Sequence, residues 1–142
     1  RRFVMIGRGL SEETVKEYTI EEIPPNLLCI EEPSREYVVD AFDACRTFVL
    51  PSSNETFGIV LLEAMARGKS VVAADNLGPS EIIDNGITGM LFEPDNLESL
   101  VKMASIAWDN EEIGLASREK VKSKYDWKLI VHKIEGVYEK VK

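Results

Sequence analysis

At 142 residues, with 44% hydrophobic and 30% charged content, the chain has the make-up of one globular domain with a sizeable core. Its net charge of -8 and pI near 4.8 exclude nucleic acid and anionic membrane surfaces as main partners, because both reward basic patches. An anion site on such a chain has to be local.

Short β-rich apolar runs alternate with helical periodicity, which predicts a Rossmann-like α/β fold: a parallel sheet with helices on both faces. A strand at 3–6 runs into Gly7-Arg8-Gly9, a tight turn and not a dinucleotide fingerprint, since Glu12 stands where the third glycine belongs. Ser11 caps a helix to about Thr19, Pro24-Pro25 marks a turn and not a linker, and a strand follows at 27–30. Ser34 opens a helix through Phe42 and Ala44, and a strand at 47–50 feeds a loop and then a helix from near Phe57 to Gly68, a good residue to end it. A strand at 70–73, a loop through Gly78-Pro79, a helical turn at 80–84, turns at Asn85-Gly86 and Thr88-Gly89, and a short strand at 89–92 complete the sheet. Asn96, Asn110 and Asp126 then cap three helices, with Trp108, Tyr125, Trp127 and Tyr138 expected to anchor them to the sheet. There is no internal repeat and no low-complexity tract.

Cys29 and Cys45 form no Cys-x-x-Cys pair, and His132 is the only histidine, on a lysine-rich amphipathic stretch. The expectation is two buried thiols in a reducing compartment and no metal site. With no run of about 20 apolar residues and no signal peptide, the segment is expected to be cytoplasmic. It begins with Arg1 and not Met, which fits an excerpt or a processed piece of a longer protein.

The richest chemistry lies where open parallel sheets hold ligands, at the carboxyl ends of strands. Glu55 and Glu63, eight positions apart, bracket the start of the third helix. Helical rise puts their Cα atoms at most about 12 Å apart, wider than the roughly 5 to 9.5 Å of a hydrolytic carboxylate pair. Between them, Gly58 presents no side chain, and the amides of Phe57, Gly58, Ile59 and Val60 can converge on an anion at the positive end of the helix dipole. Carboxylate, anion site, carboxylate suits sugar, diphosphate, ribose. Each piece has a plainer reading: a glycine tolerated at a helix start, Glu55 as a loop acid on the dipole, and Glu63, amid apolar neighbours, paired with Arg67 one turn on. The loop through Gly78 either brings backbone close to a ligand or is simply a turn.

Residues 49–94 resemble the donor-binding half of the family 4 retaining glycosyltransferases of the two-Rossmann-domain (GT-B) type. The stretches that carry the resemblance are Val49-Leu-Pro-Ser-Ser-Asn-Glu55-Thr-Phe-Gly58, Leu62-Glu63-Ala-Met-Ala-Arg-Gly68-Lys-Ser-Val-Val-Ala73, Gly78-Pro-Ser-Glu81-Ile-Ile and Asn85-Gly-Ile-Thr-Gly89-Met-Leu-Phe-Glu-Pro94. Weaker likeness at 3–9 and 125–138 extends it over nearly the whole chain. The resemblance implies transfer of a sugar from a nucleoside diphosphate sugar to an acceptor hydroxyl with retained configuration, no metal ion and no further cofactor. It makes Glu55 the catalytic residue at the transferred sugar and Glu63 the ligand of the ribose hydroxyls. The amides of Phe57, Gly58, Ile59 and Val60 would meet sugar and diphosphate, and the backbone of Cys29 and Ile30 the base.

The family's first strand and helix, with an Arg and a Lys that neutralise the diphosphate, have no counterpart before Arg1, and Glu31 stands where a glycine often follows the second strand. The acceptor domain, the implied partner and the route to any peripheral membrane attachment, is also outside this sequence. A nucleotide-sugar epimerase or phosphorylase on the same scaffold, and a non-catalytic nucleotide-sugar-binding module, are the alternatives.

Overall fold

The computed structural model describes residues 1–18 and 22–141, so the expected end of the first helix at Thr19 lies outside the described residues. The chain folds as two compact units, Arg1–Asp43 and Ala44–Lys142.

In the first unit, β1 (Phe3–Gly7) and β2 (Leu27–Glu31) pair in parallel, Phe3 opposite Leu27 through Gly7 opposite Glu31. The turn after β1 puts Gly9 at φ 71, and Ser11 caps α1 (Glu12–Tyr18) by accepting from the Thr14 amide at 3.1 Å. Ser34 does the same for α2 (Arg35–Ala44), accepting from Tyr37 at 3.2 Å. A short hydroxyl one residue before each helix satisfies an amide that the helix cannot.

The second unit is a three-stranded parallel sheet in the order β3-β4-β5, made of β3 (Thr47–Leu50), β4 (Ser70–Ala74) and β5 (Met90–Phe92). Every residue of central β4 is buried, which requires cover on both faces and explains its unbroken small and β-branched run. Val72 and Ala74 on one face join Met90, Phe92, Ala107 and Ile113 in a core cluster, with Leu100 and Met103 packed against it. Val71 and Ala73 on the other face are equally buried. The helices are α3 (Ile59–Ala66), α4 (Leu77–Ile82), α5 (Leu97–Ala107), α6 (Glu111–Lys124) and α7 (Trp127–Lys140), of which α3, α5 and α6 pack on β4. The asparagines and the aspartate act as expected: Asn96 accepts from Ser99 at 2.9 Å, Asn110 from Ile113 at 3.2 Å and Asp126 from Lys128 at 2.8 Å.

Three expectations need correction. Helix α4 begins at Leu77, not Ser80, and takes Gly78-Pro79 into its first turn, where proline's missing amide costs no hydrogen bond. Helix α3 begins at Ile59, two residues later than expected, because Gly58 adopts φ 88, ψ 47, a left-handed conformation outside the helix. The aromatic anchors hold only in part: Trp108 and Tyr125 are half-buried, whereas Trp127 and Tyr138 on α7, a helix with no buried residue, are 75% and 69% exposed. Among the described residues no helix is long and apolar enough to cross a membrane.

Candidate functional site

Because the three strands of the second unit run parallel, their carboxyl ends share one edge, and the loops after β3 and β4 meet there. Ser53, Asn54, Glu55 and Thr56 from the first loop, and Asn76 and Leu77 from the second, line a cavity of about 430 Å³. A smaller hollow of about 210 Å³ lies near the amino ends of β3 and β4, around Cys45, Lys69 and Ser70. Part of its rim is closed by an ion pair between Arg46 and Asp109, and parallel sheets do not hold ligands at that end. The larger cavity is the candidate site.

Glu55 is half-buried and turns its carboxylate back on its own loop. Oε1 accepts from the Gly58 amide at 2.9 Å and from the Phe57 amide at 3.3 Å. The acid therefore sits at the positive end of α3, as its plainer reading anticipated. This changes the expected anion cradle. Two of its four amides, Phe57 and Gly58, serve Glu55, and the Leu61 amide closes on the Gly58 carbonyl at 2.9 Å. Ile59 and Val60, the first two residues of α3, are left with no backbone acceptor among the described residues. The role of Gly58 changes too: it is needed for its positive φ, and a Cβ there would stand 3.0 Å from Leu61 Cδ1. Glu63 lies one turn into α3 and is half-buried, between the fully buried Leu61 and Ala64. Since residues 55–58 are not helical, the helical-rise estimate of the Glu55 to Glu63 span does not apply.

Glu55, Phe57, Gly58, Ile59, Val60 and Glu63 thus lie on one loop and the helix it feeds. Cys29 and Ile30 are half-buried on β2 of the first unit, opposite Met5 and Ile6. Neither Cys29 nor Cys45 is in a disulfide. Among the described residues no group of three or more His, Cys, Asp or Glu side chains could hold a metal ion.

Sequence reasoning missed the role of the loop after β4. Gly78 is buried, and a Cβ on it would come within 2.7 to 2.8 Å of the Phe57 backbone N, Cα and C atoms. Its amide donates to the Glu55 carbonyl at 3.2 Å, and Asn76 Nδ2 donates to the Ser52 carbonyl at 2.7 Å. The close approach expected of Gly78 is made to the protein's own backbone. The signal was present as Gly78-Pro79, but it also spells an ordinary turn.

The family model described as Glycosyl transferases group 1 matches residues 1–131. The chain belongs to the group 1 glycosyltransferases. Among its relatives, the Sulfoquinovosyl transferase SQD2 of Arabidopsis thaliana is 43% identical over 103 residues, 68% of this chain and 20% of the relative. The Alpha-1,3/1,6-mannosyltransferase ALG2 of Homo sapiens is 38% identical over 90 residues, 61% of this chain and 22% of that protein. The chain therefore spans about a fifth of the length of these two relatives. The crystal structure of Anabaena Alr3699/HepE in complex with UDP-glucose matches with a TM-score of 0.81 at 22% identity, over 96% of this chain and 40% of that one. The α/β fold of this chain is that of the GT-B glycosyltransferases.

Proposed function

We propose that this chain is the nucleotide-sugar-binding part of a retaining glycosyltransferase that moves a sugar from a nucleoside diphosphate sugar to an acceptor hydroxyl. The observation that carries the reading is the junction of β3 and α3: Glu55, which lines a cavity of about 430 Å³, has its carboxylate held on two backbone amides, and the next two amides, of Ile59 and Val60, have no backbone acceptor among the described residues. A helix N-terminus with unpaired amides is a ready site for phosphate. Membership of the group 1 family and the UDP-glucose named for the Anabaena structure support the donor class.

In this reading the diphosphate lies on the Ile59 and Val60 amides. Glu55 stands at the transferred sugar near the reacting carbon, and Glu63 takes the ribose hydroxyls. As the glycosidic bond breaks, negative charge grows on the departing diphosphate. The fixed amides and the dipole of α3 stabilise that charge without having to reorganise. A basic pair from outside this sequence completes the neutralisation, with no metal ion and no cofactor beyond the donor. The acceptor comes from a partner domain, through which any peripheral membrane attachment would run, and the site works in the cytoplasm. This segment alone should bind donor weakly and turn over nothing.

The test is a product assay on the full-length protein with UDP-glucose as probe donor and a panel of hydroxyl acceptors, the anomeric configuration being read by NMR. A glycoside of retained configuration is expected. An inverted product, an epimerised nucleotide sugar or a sugar phosphate formed only with inorganic phosphate would refute the reading.

A further inference from the structure

We infer that Asn76 and Gly78 are positioning residues for transfer: they clamp the 52–57 loop to the sheet and so fix the Glu55 carboxylate. The inference rests on the proposed role of Glu55 at the transferred sugar.

The loop carrying Glu55 is mostly exposed and has little packing of its own. Its connections run through the first turn of α4. Asn76 Nδ2 holds the Ser52 carbonyl at 2.7 Å at the near end of the loop, and the Gly78 amide holds the Glu55 carbonyl at 3.2 Å. Gly78 also lies flat against the Phe57 peptide, so close that any side chain would collide with three backbone atoms. The α4 turn is in turn tied to the sheet. The Asp75 amide donates to the Phe92 carbonyl of β5 at 2.8 Å, the Asn76 amide to Ala74 at 2.9 Å, and Ser80 closes back on Asn76 at 3.0 Å. Two hydrogen bonds and one backbone contact therefore connect the rigid sheet to the residue whose carboxylate must be placed to within a fraction of an ångström. Misplacement on the order of 1 Å costs ~100-fold in rate.

The experiment compares full-length wild type with Asn76→Ala, Gly78→Ala and Glu55→Gln. It reads kcat with UDP-glucose, the affinity for UDP, the melting temperature, and amide hydrogen exchange at Phe57 and Gly58. Asn76→Ala should lower kcat ~10- to 100-fold and speed exchange at those two amides ~10-fold, with UDP affinity and melting temperature nearly unchanged. Gly78→Ala should lower kcat and speed exchange more strongly, and should also lower the melting temperature because its Cβ meets the Phe57 backbone; the separation of function from stability is therefore read in Asn76→Ala. Wild-type kcat or wild-type exchange in Asn76→Ala overturns the inference. So does a joint fall of kcat, UDP affinity and melting temperature, the mark of a purely structural residue. Should Glu55→Gln keep wild-type kcat, the functional reading falls and takes this inference with it. Impaired Glu55→Gln beside fully active Asn76→Ala defeats the clamp alone.

Discussion

Replacing Gly114 with alanine should destabilise the protein, although alanine is the better helix former. Gly114 lies in the first turn of α6 where that helix meets the end of α3. A Cβ there would stand 2.2 Å from the Gly68 carbonyl oxygen and 3.1 Å from its carbon. Carbon-to-oxygen contacts settle at about 3.3 Å or more, so the two backbones would have to part by about 1 Å. Neither has room to give. The Gly68 amide is bound to the Met65 carbonyl at 2.8 Å, and fully buried Ser117 places its hydroxyl 2.7 Å from the Gly114 carbonyl and 3.2 Å from that of Lys69. Overpacking against side chains costs about 1 to 3 kcal/mol, and with backbone on both sides the upper end applies. Alanine's helix propensity returns about 1 kcal/mol, which leaves a net loss of about 2 kcal/mol. Gly136→Ala on α7 is the control, because nothing lies within 4 Å of its Cβ position; there only the propensity acts, a gain of up to about 1 kcal/mol. Urea denaturation followed by circular dichroism compares the midpoints. Equal or greater stability of Gly114→Ala would refute the argument from close approach.

Gly58→Ala forces a side chain into φ 88 beside the buried Leu61; a loss of about 1 to 3 kcal/mol is expected by denaturation, and a wild-type midpoint would contradict it. Lys120, its side chain 7% exposed, reaches the Asp84 carboxylate at 2.8 Å. The hydrogen bond from Lys120 holds the Asp84 carboxyl below its ordinary value of 3.8, with burial opposing and the charges of Lys120 and Lys124 assisting. A lowered carboxyl pKa gives stability that is fully present above that ordinary value and is lost as pH falls through the lowered one. Because Asp84 is 53% exposed, water screens the pair, and Asp84→Asn should cost about 1 to 2 kcal/mol near neutral pH, less than the breaking of a fully buried pair. The gap between variant and wild type should narrow once pH drops below the ordinary carboxyl value; a gap independent of pH would show that the ion pair is not its source.

The strands and caps were legible because each is written in local chemistry. Val71, Val72 and their β-branched and small neighbours read as a strand of a sheet covered on both faces, and Ser11, Ser34, Asn96, Asn110 and Asp126 each stand one residue before a helix and supply an oxygen to it. The start of α3 was not legible to the residue, since a glycine permits a positive φ without announcing it, and Gly58 used that freedom to delay the helix. Gly78-Pro79 reads as a turn in sequence and serves as a helix start, because only the Phe57 peptide packed against it shows why a glycine is required. Trp127 and Tyr138 look like core residues by type, but burial depends on what lies opposite, and no residue of α7 is buried. At the candidate site the residue types and spacing of Glu55, Gly58 and Glu63 were readable. That Glu55 takes two of the four amides for itself was not, because it depends on a loop conformation.

The most direct measurement is calorimetric titration of UDP and UDP-glucose into the full-length protein, wild type beside Glu63→Ala. If Glu63 holds the ribose, removing its carboxylate should weaken both ligands by the same factor, roughly 10-fold or more for a charged hydrogen-bonding partner. Unchanged affinity for UDP in Glu63→Ala would contradict the account.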